Sequence, residues 1–145
     1  MMKTKILLLS LLALNSTWAS LSHVSEDELV AATLILEAGG ERHPYSMVAV
    51  YEVIRNRAER RNQSMRHVIL ARLQFSCWND IENRDRLFQI ARSHPRYETA
   101  LRIVREKTNT NITRGATHYH ATRVSPYWKT SYTETITIQN HIFYR

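Results

Sequence analysis

Glu37 is the side chain whose type and position best suit catalysis. It follows residues 29–36, Leu-Val-Ala-Ala-Thr-Leu-Ile-Leu, which are apolar on nearly every side at helical periodicity. Gly39 and Gly40 then stop the helix. Glu37 therefore sits at the end of a core helix, where apolar surroundings and the negative end of the helix dipole both favour a protonated carboxyl. A carboxyl that keeps its proton near neutral pH is what general acid catalysis needs. The same spacing also fits an ordinary solvated glutamate at a frayed helix end. Glu41 would share a helix face with Glu37 if the helix continued. The glycines argue against that, and leave Glu41 as a substrate contact or loop anchor.

The second group is Thr117-His118-Tyr119-His120. In a strand, His118 and His120 face the same way, with His141 as a possible third partner. Three histidines could hold zinc and hydrolyse an amide. No His-Glu-x-x-His helix accompanies them, and imidazoles also serve as hydrogen-bonding groups in sugar clefts. A third feature is the aromatic set Trp78, Tyr119, Tyr127, Trp128, Tyr132, Phe143 and Tyr144, whose flat rings suit sugar faces. Phe143 and Tyr119 are expected in the core, and Trp78 and Trp128 at the border of a groove. Residues 74–79, Gln-Phe-Ser-Cys-Trp-Asn, read as a loop rich in stacking and hydrogen-bonding groups, with Ser76 and Asn79 as candidate contacts. Cys77 is the only cysteine, so no internal disulfide is possible. Its apolar neighbours suit a small packing residue better than a nucleophile.

These residues need a scaffold. Ser25 and Glu28 form a capping-box pattern at the start of the first helix. Met47, Val50, Tyr51, Ile54 and Ala58 predict a second helix, with Glu52, Arg55, Arg57 and Glu59 at its other positions. Ser64 is expected to cap a short third helix. Further helices are expected around residues 87–91 and after Pro95. Beyond Gly115 the pattern turns to alternating β-branched and aromatic residues at 117–121, 133–138 and 141–144, with Gln139-Asn140 as a turn. The expectation is an α+β fold, a helical body followed by a small antiparallel sheet.

The 145 residues suit one domain and a leader. Lys3 and Lys5 precede a short apolar stretch, and small residues at Thr17 and Ala19 complete the pattern of a signal peptide over residues 1–19. That predicts an exported catalytic domain over residues 20–145, with no stable membrane insertion after cleavage. The chain carries 20 basic and 13 acidic residues, a net +7, and stays basic without Lys3 and Lys5. The basic residues are scattered and no nucleic-acid motif appears. Of nucleic acid, anionic lipid and an anionic wall polymer, nucleic acid therefore suits the charge of an exported chain least.

Several short motifs, in order, resemble the cell wall hydrolase family typified by the spore cortex-lytic enzymes of the SleB type. They are Leu36-Glu37-Ala38-Gly39-Gly40-Glu41, Met47-Val48-Ala49-Val50 leading to Val53-Ile54-Arg55-Asn56-Arg57, and Gln74-Phe75-Ser76-Cys77-Trp78-Asn79. Towards the end come Ala116-Thr117-His118-Tyr119-His120-Ala121, Val124-Ser125-Pro126-Tyr127-Trp128 and Asn140-His141-Ile142-Phe143-Tyr144. The resemblance implies a lysozyme-like domain that cleaves peptidoglycan glycan strands between N-acetylmuramic acid and N-acetylglucosamine, with Glu37 as its single catalytic acid and a 1,6-anhydro product. It implies neither metal nor cofactor. Glu41, Ser76, Trp78, Asn79, His118, Tyr119, His120, Ser125 and Trp128 are the expected substrate contacts, and the enzyme is expected to act as a monomer. Gly39 stands where the spore enzymes often carry arginine, and His118 and His120 where they can carry tyrosine or other polar side chains. Spore-type members also carry a separate wall-binding region that does not fit in these 145 residues, so a spore-specific substrate is not expected. The alternatives are a zinc-dependent muramoyl-alanine amidase and a wall-binding module without activity.

Overall fold

The computed structural model describes residues 21–145, so the expected signal peptide lies outside the described residues. Five helices precede a three-stranded sheet: α1 Glu26–Ala38, α2 Ser46–Arg61, α3 Met65–Leu70, α4 Arg84–Arg92 and α5 Tyr97–Arg105, then β1 His118–Ala121, β2 Glu134–Ile138 and β3 His141–Tyr144. This is the expected α+β arrangement.

Helix α1 begins as its sequence dictates. The Glu28 amide donates to Ser25 Oγ at 3.2 Å, and the Ser25 amide donates to the Glu28 carboxylate at 2.9 Å. The helix is apolar all round because α2, α3, α4 and α5 all pack against it. It ends at Gly39 without a left-handed cap. A Cβ on Gly39 would lie 2.5 Å from the Ile35 carbonyl oxygen, so the chain can turn this tightly only without a side chain there. That gives the Gly39 departure a steric reason.

The sheet is antiparallel with β3 in the centre, in the order β1-β3-β2. Gln139 adopts a left-handed conformation (φ 46°) in the β2–β3 turn. Tyr119 on β1 packs against both the main helical core and a smaller cluster of Ala49, Val53, Ala116, Ile138 and Phe143. It is the apolar joint between helices and sheet, and Phe143 is core as expected.

Polar side chains of α2 fasten the same joint. Glu52 is fully buried, and its carboxylate accepts from the Thr110 hydroxyl (2.6 Å), the Ile112 amide (2.9 Å), and the amide (2.8 Å) and hydroxyl (2.5 Å) of Thr113. Arg55 donates to the carbonyls of Thr108 and Thr110, and Asn56 to that of Ala116. Four bonds satisfy the buried carboxylate and tie down the segment leading into β1. At the sequence level Glu52 looks like one more polar helix position. The helical period places it inward only once residues 110–113 close over it.

Candidate active site

The last turn of α1, the loop 73–77, strand β1 and the β2–β3 turn enclose a cleft of about 610 Å³. Glu37 lies in its wall, half-buried. The Tyr119 hydroxyl donates to Glu37 Oε2 at 2.5 Å. Burial, then the charge of Glu37, hold the Tyr119 phenol well above its ordinary pKa, so it remains a donor throughout the physiological range. Cys77 lines the cleft beside Glu37 and, partly buried, packs against the main helical core. Burial, followed by the negative charge of Glu37, pushes its thiol pKa up, which is the opposite of what a nucleophilic thiolate requires.

Arg57 is the largest contributor that sequence reasoning missed. It is buried, lines the cleft, donates from Nε to the Thr117 carbonyl and lies over the Phe75 ring at 5.3 Å. Burial lowers its pKa from the ordinary arginine value, and the nearby carboxyl of Glu37 works against that shift. Helical period alone puts residue 57 one turn from Val53 and Ile54, which are both buried, so the inward direction was legible but its polar end point was not.

Glu41 is 7% exposed and serves as an anchor. Its carboxylate accepts from the Asn140 amide at 3.0 Å and sits 3.2 Å from His141 Nδ1. Arg96 completes the clamp by donating to the carbonyls of Gly39 (3.1 Å) and Glu41 (2.6 Å). The α1 terminus is thereby held against the β2–β3 turn, so the position of Glu37 depends on residues about 60 and 100 positions downstream.

Of the expected contacts, Glu37, Glu41, Ser76, Tyr119 and His120 meet in the cleft. Trp78 does not border a groove. It is 1% exposed, and its indole Nε1 donates to Thr33 Oγ1 at 3.0 Å inside the core. Its hydrogen-bonded burial against α1 overrides the tendency of tryptophan to sit at sugar-binding surfaces. Asn79 is absent from the cleft wall and accepts the Leu73 amide at 3.1 Å, holding Leu73 in a left-handed conformation. Ser125 is exposed and also outside the cleft wall.

His118 and Trp128 lie outside the cleft wall, in an aromatic cluster that adjoins it through His120. His118 lies 4.0 Å from Tyr132 and 5.4 Å from Trp128, ring centre to ring centre, and His120 stacks on Tyr144 at 5.3 Å. Pairing of Ala121 with His141 and of His120 with Ile142 puts His141 on the opposite sheet face from His118 and His120. The three histidines therefore do not converge, and no group of three or more potential metal ligands occurs among the described residues.

The Cell Wall Hydrolase family model matches residues 42–144. The chain belongs to this family. The match includes Arg57, the loop 73–77, Tyr119 and His141, and begins just after the turn that carries Glu37 and Glu41. No curated protein and no solved structure matches the chain. As a cell wall hydrolase it acts on peptidoglycan, at the wall or outside the cell. No helix among the described residues is long and apolar enough to cross a membrane.

Proposed function

We propose that this cell wall hydrolase cleaves peptidoglycan glycan strands between N-acetylmuramic acid and N-acetylglucosamine, as a lytic transglycosylase with Glu37 as its catalytic acid. The observation that carries this reading is the placement of Glu37 in the cleft wall, with its carboxyl gripped by the half-buried Tyr119 hydroxyl. The other carboxyl in the wall, Glu41, is engaged by Asn140 and His141, which favours a mechanism needing one free acid.

In this mechanism Glu37 protonates the bridging oxygen as positive charge develops at the sugar carbon. The resulting carboxylate accepts the proton of the muramic C6 hydroxyl, which attacks that carbon and closes the 1,6-anhydro ring. Tyr119 fixes the carboxyl between the two transfers. Ser76 and His120 lie in the cleft wall, within the reach of a bound sugar. The catalytic unit is residues 20–145 acting as a monomer after export, with residues 1–19 as its leader.

Digestion of purified wall sacculi, with products read by mass spectrometry, tests the proposal. Anhydro-muramyl fragments are expected from the wild type, with a loss of about 10²–10⁴-fold in rate for Glu37→Gln. Undiminished cleavage by Glu37→Gln, or release of stem peptides from intact glycan, rejects the assignment.

A further inference from the structure

The charges of the cleft are unequally satisfied. Glu41 has Asn140 and His141, and Glu37 has Tyr119. Two cations also line the wall, Arg57 and Arg123. Among the described residues, no carboxylate lies within 4.0 Å of a nitrogen of either. Arg57 is 6% exposed, and its hydrogen bonds go to the Thr117 carbonyl and, at 3.5 Å, to Gln74 Oε1. Arg123 is exposed at the mouth of the cleft.

A buried guanidinium with no carboxylate in ion-pair contact is costly, and its planar fork fits a carboxylate better than any neutral group. A neutral amino-sugar strand supplies no such anion. The muramic residue does, because its lactyl ether ends in a carboxyl that is either free or extended by a stem peptide bearing carboxylates of its own.

We infer that Arg57 and Arg123 form a subsite for a carboxylate on the muramyl side of the substrate, so that the cleft discriminates muramyl strands from neutral amino-sugar polymers. This rests on the glycan-cleavage reading above. Arg57 supplies a fixed, poorly hydrated donor at the wall, and Arg123 an exposed charge that steers the strand inward. The two sources of the carboxylate, lactyl and stem, share this chemistry and separate in the test.

Calorimetry on Glu37→Gln, which retains ligands uncleaved, would compare three oligosaccharides of equal length: a neutral N-acetylglucosamine oligomer, a stem-free muramyl strand and a stem-bearing muramyl strand. At low salt at least one muramyl strand is expected to bind about tenfold or more tightly than the neutral oligomer. The stem-free strand gains this advantage if the lactyl carboxylate is read, and only the stem-bearing strand gains it if the stem is read. The advantage should shrink as salt rises and fall to within about threefold when Arg123→Gln is added. Arg57→Lys, checked for folding by circular dichroism because Arg57 also anchors Thr117, should weaken it as well. Equal binding of all three ligands, or an advantage that survives Arg123→Gln unchanged, overturns the inference. Because binding is measured without turnover, a failure to find glycan cleavage and a failure of this subsite give different results.

Discussion

The Tyr119 hydroxyl and the Glu37 carboxylate meet at 2.5 Å across 82 residues of sequence. Tyr119 is also the residue shared by the two hydrophobic clusters, so the joint between helices and sheet and the grip on Glu37 are one side chain. Tyr119→Phe keeps the ring and removes the donor. It should lower kcat by about ten- to hundredfold, the scale of a hydrogen bond to a charged group. Thermal melting should stay close to wild type. Unchanged kcat in steady-state digestion of sacculi would show that the contact does not position the acid.

Glu52 ties residues 110–113 to α2 through four hydrogen bonds. Glu52→Ala leaves buried amides and hydroxyls of residues 110–113 without an acceptor. The expected loss is about 3–5 kcal/mol in urea unfolding. Glu52→Gln retains an acceptor oxygen and should lose less. A surface-like effect below about 0.5 kcal/mol for Glu52→Ala would contradict the buried placement.

Trp78 separates core packing from sugar stacking. Trp78→Phe removes the bond to Thr33 and some volume, and should cost about 1–3 kcal/mol in unfolding free energy. Affinity for glycan fragments, titrated well below the melting temperature, should not change. A large fall in affinity with intact stability would return Trp78 to the groove.

His118 makes the fold acid-sensitive. Burial, followed by repulsion from Arg57, Arg61 and Arg60, lowers its pKa from 6.5 to about 4. Between those values the unfolded chain binds a proton that the folded chain does not. Its contribution to stability is therefore complete above pH 6.5, declines as pH falls, and is gone below about 4. Wild-type unfolding free energy should drop across this window, and His118→Phe should flatten that slope. An equal slope in both proteins would remove His118 as the cause.

Much of this protein was legible in its sequence because local signals there agree with their surroundings. The Ser25–Glu28 box, the apolar run of α1, the Gly39 stop and the alternation of β1, β2 and β3 each specify an element through neighbours a few residues apart. The same locality put Glu37 at the end of a buried helix.

Direction across long separations was not legible. Trp78 could stack on sugar or fill a core, and only the Thr33 hydroxyl on α1 decided between them. Glu52 and Arg57 read as polar helix positions until residues 108–117 folded over them. Glu41 became an anchor through Asn140 and His141, about a hundred residues away. Helical and strand periods fix which way a side chain leaves its own element, whereas the free energy of burying a polar or aromatic group depends on the partner it finds. That partner exists only when the chain has closed on itself.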